Sequence, residues 1–207
     1  MKSMKHIFSS PALALAGSLL CIPTALAANS GASAPVSALN KALISTMKLA
    51  QSGQEFQARY NALAPVVKQT YDLPEVTKNS VGFLWSTLPA SQQTSLIDLF
   101  TQFTVSSYVS QFDSYNGQTI SVVPPEKPLG QKKIVETKLT PSEDGGVEID
   151  YVVADGPNGW KIDDVLLNGT ISEVAVHASD FASLVKSGDA SMLIAALQAK
   201  IKALQTS

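Results

Sequence analysis

The stretch VEIDYVVADGPNGWKIDDVLLNG, residues 147–169, decides the fold of this chain. From Val147 to Val153 apolar residues alternate with polar ones, which is the period of a half-buried β-strand. The separator DGPNG then leads into a second such run, from Trp160 to Leu167. Because the connection is short, the two strands are expected to pair antiparallel.

Two further strands are predicted on the N-terminal side of this hairpin. They read TISVVPP (119–125) and KKIVETKLTP (132–141), and the Pro- and Gly-rich segments PPEKPLG and SEDGG separate them from their neighbours. The last three of the four strands are expected to form an antiparallel meander.

Helical periodicity dominates the rest of the chain. Apolar stripes predict helices over about 35–52, over 54–69 with an interruption at Pro65, from a cap at Asp72 to about Trp85, from Pro89 to Gly117, and twice after Gly169. Helices on one face of an antiparallel sheet give an α+β fold, whose apolar inner surface must be filled by side chains or by a ligand.

The N-terminal segment has the pattern of an exported protein. Lys2 and Lys5 precede an apolar run, and Ala25-Leu26-Ala27 fits a small-x-small cleavage site. We therefore predict a signal peptide over 1–27, a flexible leader over 28–37 and a single domain over 38–204. The protein is expected to be periplasmic.

The charge balance argues against nucleic acid as a partner. Without Lys2 and Lys5, 13 Lys and Arg residues stand against 17 Asp and Glu, and Arg59 is the only arginine. A mildly acidic chain without basic clusters is not expected to bind nucleic acid.

Two adjacent aspartates, Asp163 and Asp164, raise the question of catalysis. Neighbouring side chains of a strand point to opposite faces, so these carboxylates cannot act together on one substrate. We interpret them as structural, with one solvated and the other bound to backbone amides or a helix end. The alternative is a small isomerase or hydratase with Asp164 as general base and Tyr151 as donor in an apolar pocket.

Other catalytic or metal-binding patterns are not evident. His177 is the only histidine after the predicted signal peptide, with Glu173 four residues before it. A zinc site needs three or four ligands, so we predict no metal and interpret His177 as a surface or capping residue. Nucleophile elbows and phosphate-binding glycine loops are also absent, and no cofactor is predicted.

Many short motifs in order resemble the MlaC family, the periplasmic phospholipid-binding proteins also called the toluene-tolerance family. They include YDLP, GFLW, LPASQQ, YVSQFDSYNGQ, IVETKL, VEIDYVV, FASLVKSG and LIAALQAKIKAL. YDLP and GWKIDDV look most similar to the hopanoid-associated branch called HpnM. The resemblance covers about Ala38 to Leu204.

This resemblance implies an NTF2-like cone that holds lipid acyl chains. It also implies a carrier that shuttles phospholipid or a hopanoid-like lipid between an outer-membrane lipoprotein complex and an inner-membrane MCE-domain ABC transporter, as a monomer. The expected lipid-contacting residues are apolar or aromatic: Phe83, Leu96, Leu99, Phe103, Val105, Tyr108, Phe112, Tyr151, Val153, Ile162, Val165 and Leu167. An adaptor with a filled core and no ligand is a third possibility.

Overall fold

The computed structural model describes residues 31–140 and 146–206, so the predicted signal peptide lies outside the described residues. Helices come first, a sheet follows and helices close the chain. The elements are α1 (Ser33–Gln51), α2 (Phe56–Thr70), α3 (Leu73–Val81), a 3₁₀ helix (Gly82–Thr87), α4 (Ala90–Gln111), β1 (Thr119–Leu129), β2 (Lys132–Thr140), β3 (Val147–Gly156), β4 (Gly159–Leu167), β5 (Ile171–Ser172), α5 (Glu173–Phe181) and α6 (Ser191–Gln205). The predicted α+β class is confirmed.

The strands form one antiparallel sheet in the order β1-β2-β3-β4-β5, so the predicted meander is confirmed. Val152 lies opposite Asp164, whereas Val153 lies opposite Ile162. Asp163 is therefore the extra residue of a β-bulge, which changes the strict alternation expected for β4.

The first strand is longer than predicted. Residues 124–129, interpreted as a separator, continue β1 to Leu129, with a shift in register between Val123 and Lys127. Prolines cannot donate to a sheet ladder, but an edge strand has one side that needs no partner. β1 lies at the edge of the sheet and so tolerates Pro124, Pro125 and Pro128.

The first helix begins before residue 38, the predicted start of the domain. Ser33 is already the first residue of α1, and Val36 is fully buried. Val36 continues the apolar stripe of Leu39 and Leu43, so this first turn has a core-facing side. The Ser33 N–H also donates to Glu126 of β1 at 2.9 Å, which ties the start of the helix to the sheet.

Two of the remaining helices differ from the expectation. The helix expected to run to Gly117 is α4, which ends at Gln111. Pro65 lies inside a continuous α2, where kinking or a break was expected. Asp72 caps α3, as predicted, by accepting the N–H of Glu75 at 3.2 Å. In the described part of the chain, none of the helices combines the length and the apolar character needed to span a membrane.

A single apolar core joins the helices to the sheet. Its fully buried members come from α1, α2, α4, α6 and the central strands. They include Leu39, Leu43, Leu63, Val67, Leu96, Val105, Val135, Val153, Ile162 and Leu197. The packing of α4 and α5 over β4 leaves the cavity described next.

Candidate functional site

A cavity of about 140 Å³ lies between α3, α4, α5 and β4. Its walls are part aromatic and aliphatic, part polar. The lining residues are Tyr71, Val76, Phe100, Phe103, Thr104, Ser107, Tyr108, Gln111, Asp164, Val165, Glu173, Val174 and His177. A concave site with apolar walls and a few convergent polar groups is typical of small-molecule binding.

One wall of the cavity is aromatic and includes a histidine. The imidazole of His177 stacks on Phe181 with 5.4 Å between ring centroids and meets Phe100 and Phe103 edge-on at 5.3 and 5.8 Å. Burial lowers the pKa of His177, and the nearby ammonium of Lys200 lowers it further. The interpretation of His177 as a surface or capping residue was wrong, because its ring packs into this aromatic wall and is neutral near pH 7.

Three phenols interact in series beside the cavity, and two of them, Tyr71 and Tyr108, line it. The hydroxyls of Tyr71 and Tyr108 are hydrogen-bonded to each other, and Tyr108 also interacts with the hydroxyl of Tyr151. Burial raises the pKa of all three phenols well above its ordinary value of 10. The three phenols are therefore uncharged.

Both carboxylate oxygens of Asp164 accept structural hydrogen bonds. Its Oδ1 accepts the N–H of Val165 at 2.8 Å and that of Val174 at 3.1 Å, and its Oδ2 accepts the hydroxyl of Ser172. Ser172 in turn caps α5 by accepting the N–H of Ala175 at 3.0 Å. Asp164 thus anchors the start of the helix that covers the cavity, which confirms the expected bond to a helix end.

Asp163 is not the solvated partner that was expected. It is 4% exposed, and its Oδ2 forms an ion pair with Lys132 at 2.5 Å. Burial raises the pKa of Asp163, while the Lys132 ammonium acts in the opposite direction. The bulge explains the difference, since the extra residue of a bulge leaves the alternation of the strand.

The charges of the cavity are acidic. Burial, and then the carboxylate of Asp164, raise the pKa of Glu173 above its usual range. Lysine and arginine do not occur among the lining residues. The ammonium of Lys200 lies over the ring of Phe103, with its Nζ 5.6 Å from the ring centroid, as a cation–π contact.

The structure brings three of the twelve predicted lipid-contacting residues to this cavity: Phe103, Tyr108 and Val165. Most of the others fill the core instead. Leu96, Val105, Tyr151, Val153, Ile162 and Phe112 are at most 8% exposed, and Leu99 is partly buried against them. Phe83 and Leu167 are 89% and 39% exposed and lie outside the cavity.

Sequence reasoning missed the contribution of α5. Glu173, Val174 and His177 line the cavity, and the first and last of these are four residues apart on one helical face. That spacing was visible in the sequence. Its meaning depends on where α5 docks, which the cap formed by Ser172 and Asp164 determines.

Fold and cavity together define a small α+β protein with a partly apolar cavity between its sheet and its helices. The family model described as "MlaC protein" matches residues 37–199, so the chain belongs to the MlaC family. The solved structure of a phospholipid-binding protein from Ralstonia solanacearum, in complex with a phospholipid, is similar over 84% of this chain and 98% of that one. The TM-score is 0.71 at 22% sequence identity, which shows a shared fold. No curated protein sequence matches this chain.

Proposed function

We propose that this protein is a periplasmic lipid carrier whose cavity between α4, α5 and β4 holds an apolar chain of the lipid. The observation that carries the proposal is the aromatic and aliphatic wall of that cavity, formed by Phe100, Phe103, Val165 and Val174. A lipid tail exposed to water costs about 0.8 kcal/mol per methylene, so a dry wall of this kind favours transfer. Membership of the MlaC family and the phospholipid-bound relative of the same fold support this proposal.

Loading requires the cavity to widen. Pockets that enclose drug-sized ligands have volumes of about 300–1,000 Å³, and this cavity measures about 140 Å³. We infer that α5 moves relative to α4, because the two helices meet at the cavity through ring contacts of His177 with Phe100 and Phe103, which a change of rotamer can release. The cap at Ser172 and Asp164 holds the start of α5 to β4 and serves as the fixed end of that movement.

The polar groups of the cavity bear on which part of the lipid enters it. Two carboxylates and two neutral phenols lie there, and no basic residue is among the lining side chains. An anionic phosphate would be repelled, so we propose that the apolar chain enters and the headgroup stays outside. A hydroxylated neutral lipid of the hopanoid class would also suit these acceptors, in keeping with the resemblance to HpnM.

The proposal is tested by incubating the purified protein with vesicles of phosphatidylethanolamine and phosphatidylglycerol, recovering it without detergent and extracting bound lipid. The expected result is a stoichiometric amount of phospholipid on the protein. A protein that recovers no lipid from these vesicles, nor from vesicles that contain hopanoids, would contradict the carrier function.

The cellular setting is part of the same proposal. The carrier would pass lipid between an outer-membrane lipoprotein complex and an inner-membrane MCE-domain ABC transporter. Export predicts a mature N-terminus at Ala28, which mass spectrometry of the periplasmic fraction measures directly. A chain that retains its first 27 residues in the cytoplasm would contradict this localisation.

The alternative of an isomerase or hydratase gains no support from the geometry. Asp164 is engaged by two backbone amides and a serine hydroxyl, and Tyr151 is 1% exposed and does not line the cavity. We therefore propose that the protein is not an enzyme. Asp164→Asn separates the two functions, because a carrier variant that folds still holds lipid whereas an enzyme variant loses turnover.

A further inference from the structure

A second group of ionisable side chains lies on β2 and β3, apart from the cavity. Glu136, Glu148 and Asp150 each offer one carboxylate oxygen, and these oxygens lie within 4.8 Å of one another. Glu136 and Asp150 are direct partners across the two strands, and Glu148 shares their face because it precedes Asp150 by two residues. None of the three lines the cavity of the proposed carrier function.

Asp150 is the buried member of this carboxylate cluster. It is 3% exposed, and its Oδ1 is buried without a hydrogen-bond partner among residues 31–140 and 146–206. Burying a carboxylate without a partner is costly, so such a group normally pairs or binds a metal. Thr137 supplies one backbone hydrogen bond to Asp150, and the requirement of Oδ1 stays unmet in the described part of the chain.

The turn between β4 and β5 closes over the cluster at Gly169. This glycine has a φ of +71°, and a Cβ there would lie 3.3 Å from Glu148 Oε1 and 3.4 Å from Asp150 Oδ2. A glycine permits both the left-handed backbone and the close approach to the two carboxylates. The backbone of the turn therefore helps to enclose the space that these oxygens face.

The cluster has more negative than positive charge. Lys127 forms an ion pair with Glu136, and its side chain is 57% exposed. Burial, and then the charges of Glu148 and Glu136, raise the pKa of Asp150 to about 6, while Thr137 and Lys127 act in the opposite direction. Lys138 lies opposite Glu148 across the two strands and is a second basic residue at the edge of the cluster.

We propose that Glu136, Glu148 and Asp150 form a divalent-cation site, selective for Ca²⁺. Every donor is a carboxylate oxygen, the ligand type of hard cations, and Ca²⁺ tolerates irregular geometry better than Mg²⁺. Two oxygens bound to one Ca²⁺ at about 2.4 Å are at most about 4.8 Å apart, so the separations of the three carboxylate oxygens are compatible with a single shared ion. The ion would join β2 to β3 and provide a partner for Oδ1 of Asp150.

The test is a thermal-unfolding titration of the whole chain, freed of metal with a chelator, with CaCl₂ and with NaCl at equal ionic strength. Ca²⁺ is expected to raise the Tm of the wild type with a Kd on the order of 10⁻⁴–10⁻³ M. Asp150→Asn and Glu148→Gln should abolish that rise, while Asp155→Asn, an exposed position on the same strand, should retain it. A wild type that does not respond beyond the NaCl control, or an equal response of Asp150→Asn, would overturn the site.

Lys127 gives a second and opposite test. Its ammonium competes with the ion for Glu136, so Lys127→Met is expected to tighten Ca²⁺ binding in isothermal titration calorimetry. Binding that is unchanged or weakened in this variant contradicts the assignment of the ion to the cluster. Neither result depends on lipid, so these experiments test the cation site independently of the proposed carrier function.

Discussion

At the scale of single residues, His177 links the pH to the stability of the cavity wall. Its imidazole packs among Phe100, Phe103 and Phe181, and burial lowers its pKa below the ordinary 6.5. Lys200 of α6 also opposes the proton, whereas Asp180 and Asp164 favour it. As the pH falls through about 6.5, the unfolded chain takes up the proton first, and the folded state loses stability.

We therefore expect His177→Phe to remove part of the acid sensitivity. The phenyl ring keeps the stacking but cannot be protonated, so the Tm of the variant minus that of the wild type should increase from about pH 8 to about pH 5. Thermal unfolding monitored by circular dichroism over this range measures the difference. A Tm difference that is constant with pH would show that His177 is not held in its neutral form.

Two of the predicted lipid-contacting residues test the packing, because one lies in the core and the other at the surface. Leu96 is fully buried and Phe83 is 89% exposed. Leu96→Ala should lower the free energy of unfolding by about 2–5 kcal/mol, because it leaves a cavity in the core. Phe83→Ala should change it by no more than about 0.5 kcal/mol, as expected for an exposed side chain. Urea unfolding measures both, and equal effects would contradict the packing described for α4 and the 3₁₀ helix.

At the scale of elements, the cap of α5 positions the cavity wall. Ser172→Ala removes the acceptor of the Ala175 N–H and the donor to Asp164, so it should cost about 0.5–2 kcal/mol. Hydrogen exchange of the amides in the first turn of α5 should accelerate. Ser179→Ala, an exposed position on the same helix, serves as the control. Equal exchange in the two variants would show that the cap does not hold α5.

The strands illustrate how far the sequence predicts the elements. β3 and β4 were predictable because alternation and the DGPNG turn are local signals. The extension of β1 through Pro128 was not, since whether a strand tolerates proline depends on its being at the sheet edge. The bulge at Asp163 could not be predicted from the sequence either, because it depends on how β4 pairs with β3.

The cavity was less predictable than the fold. Phe103, Tyr108 and Val165 line the cavity, in keeping with the expectation that large apolar residues on α4 and β4 face each other. Their apolar neighbours Leu96 and Ile162 have the same sequence character but fill the core, and only the three-dimensional packing distinguishes the two roles. His177 was misinterpreted because its aromatic partners lie on α4 and at the end of its own helix.

At the scale of the whole molecule, the central claim is that lipid occupies the space between α4, α5 and β4. Ser107 lines that space, and Ser95 is an exposed residue of the same helix. Ser107→Trp should fill the cavity and exclude cargo, whereas Ser95→Trp makes the same change at the surface and should not. Circular dichroism with thermal unfolding checks that both variants are folded.

The most direct measurement is native mass spectrometry of the wild type and these two variants, each purified from the periplasm without detergent. The account predicts a discrete added lipid mass on the wild type and on Ser95→Trp, and a bare polypeptide mass for a folded Ser107→Trp. A bare wild type, or a folded Ser107→Trp that carries as much lipid as Ser95→Trp, would contradict the carrier account.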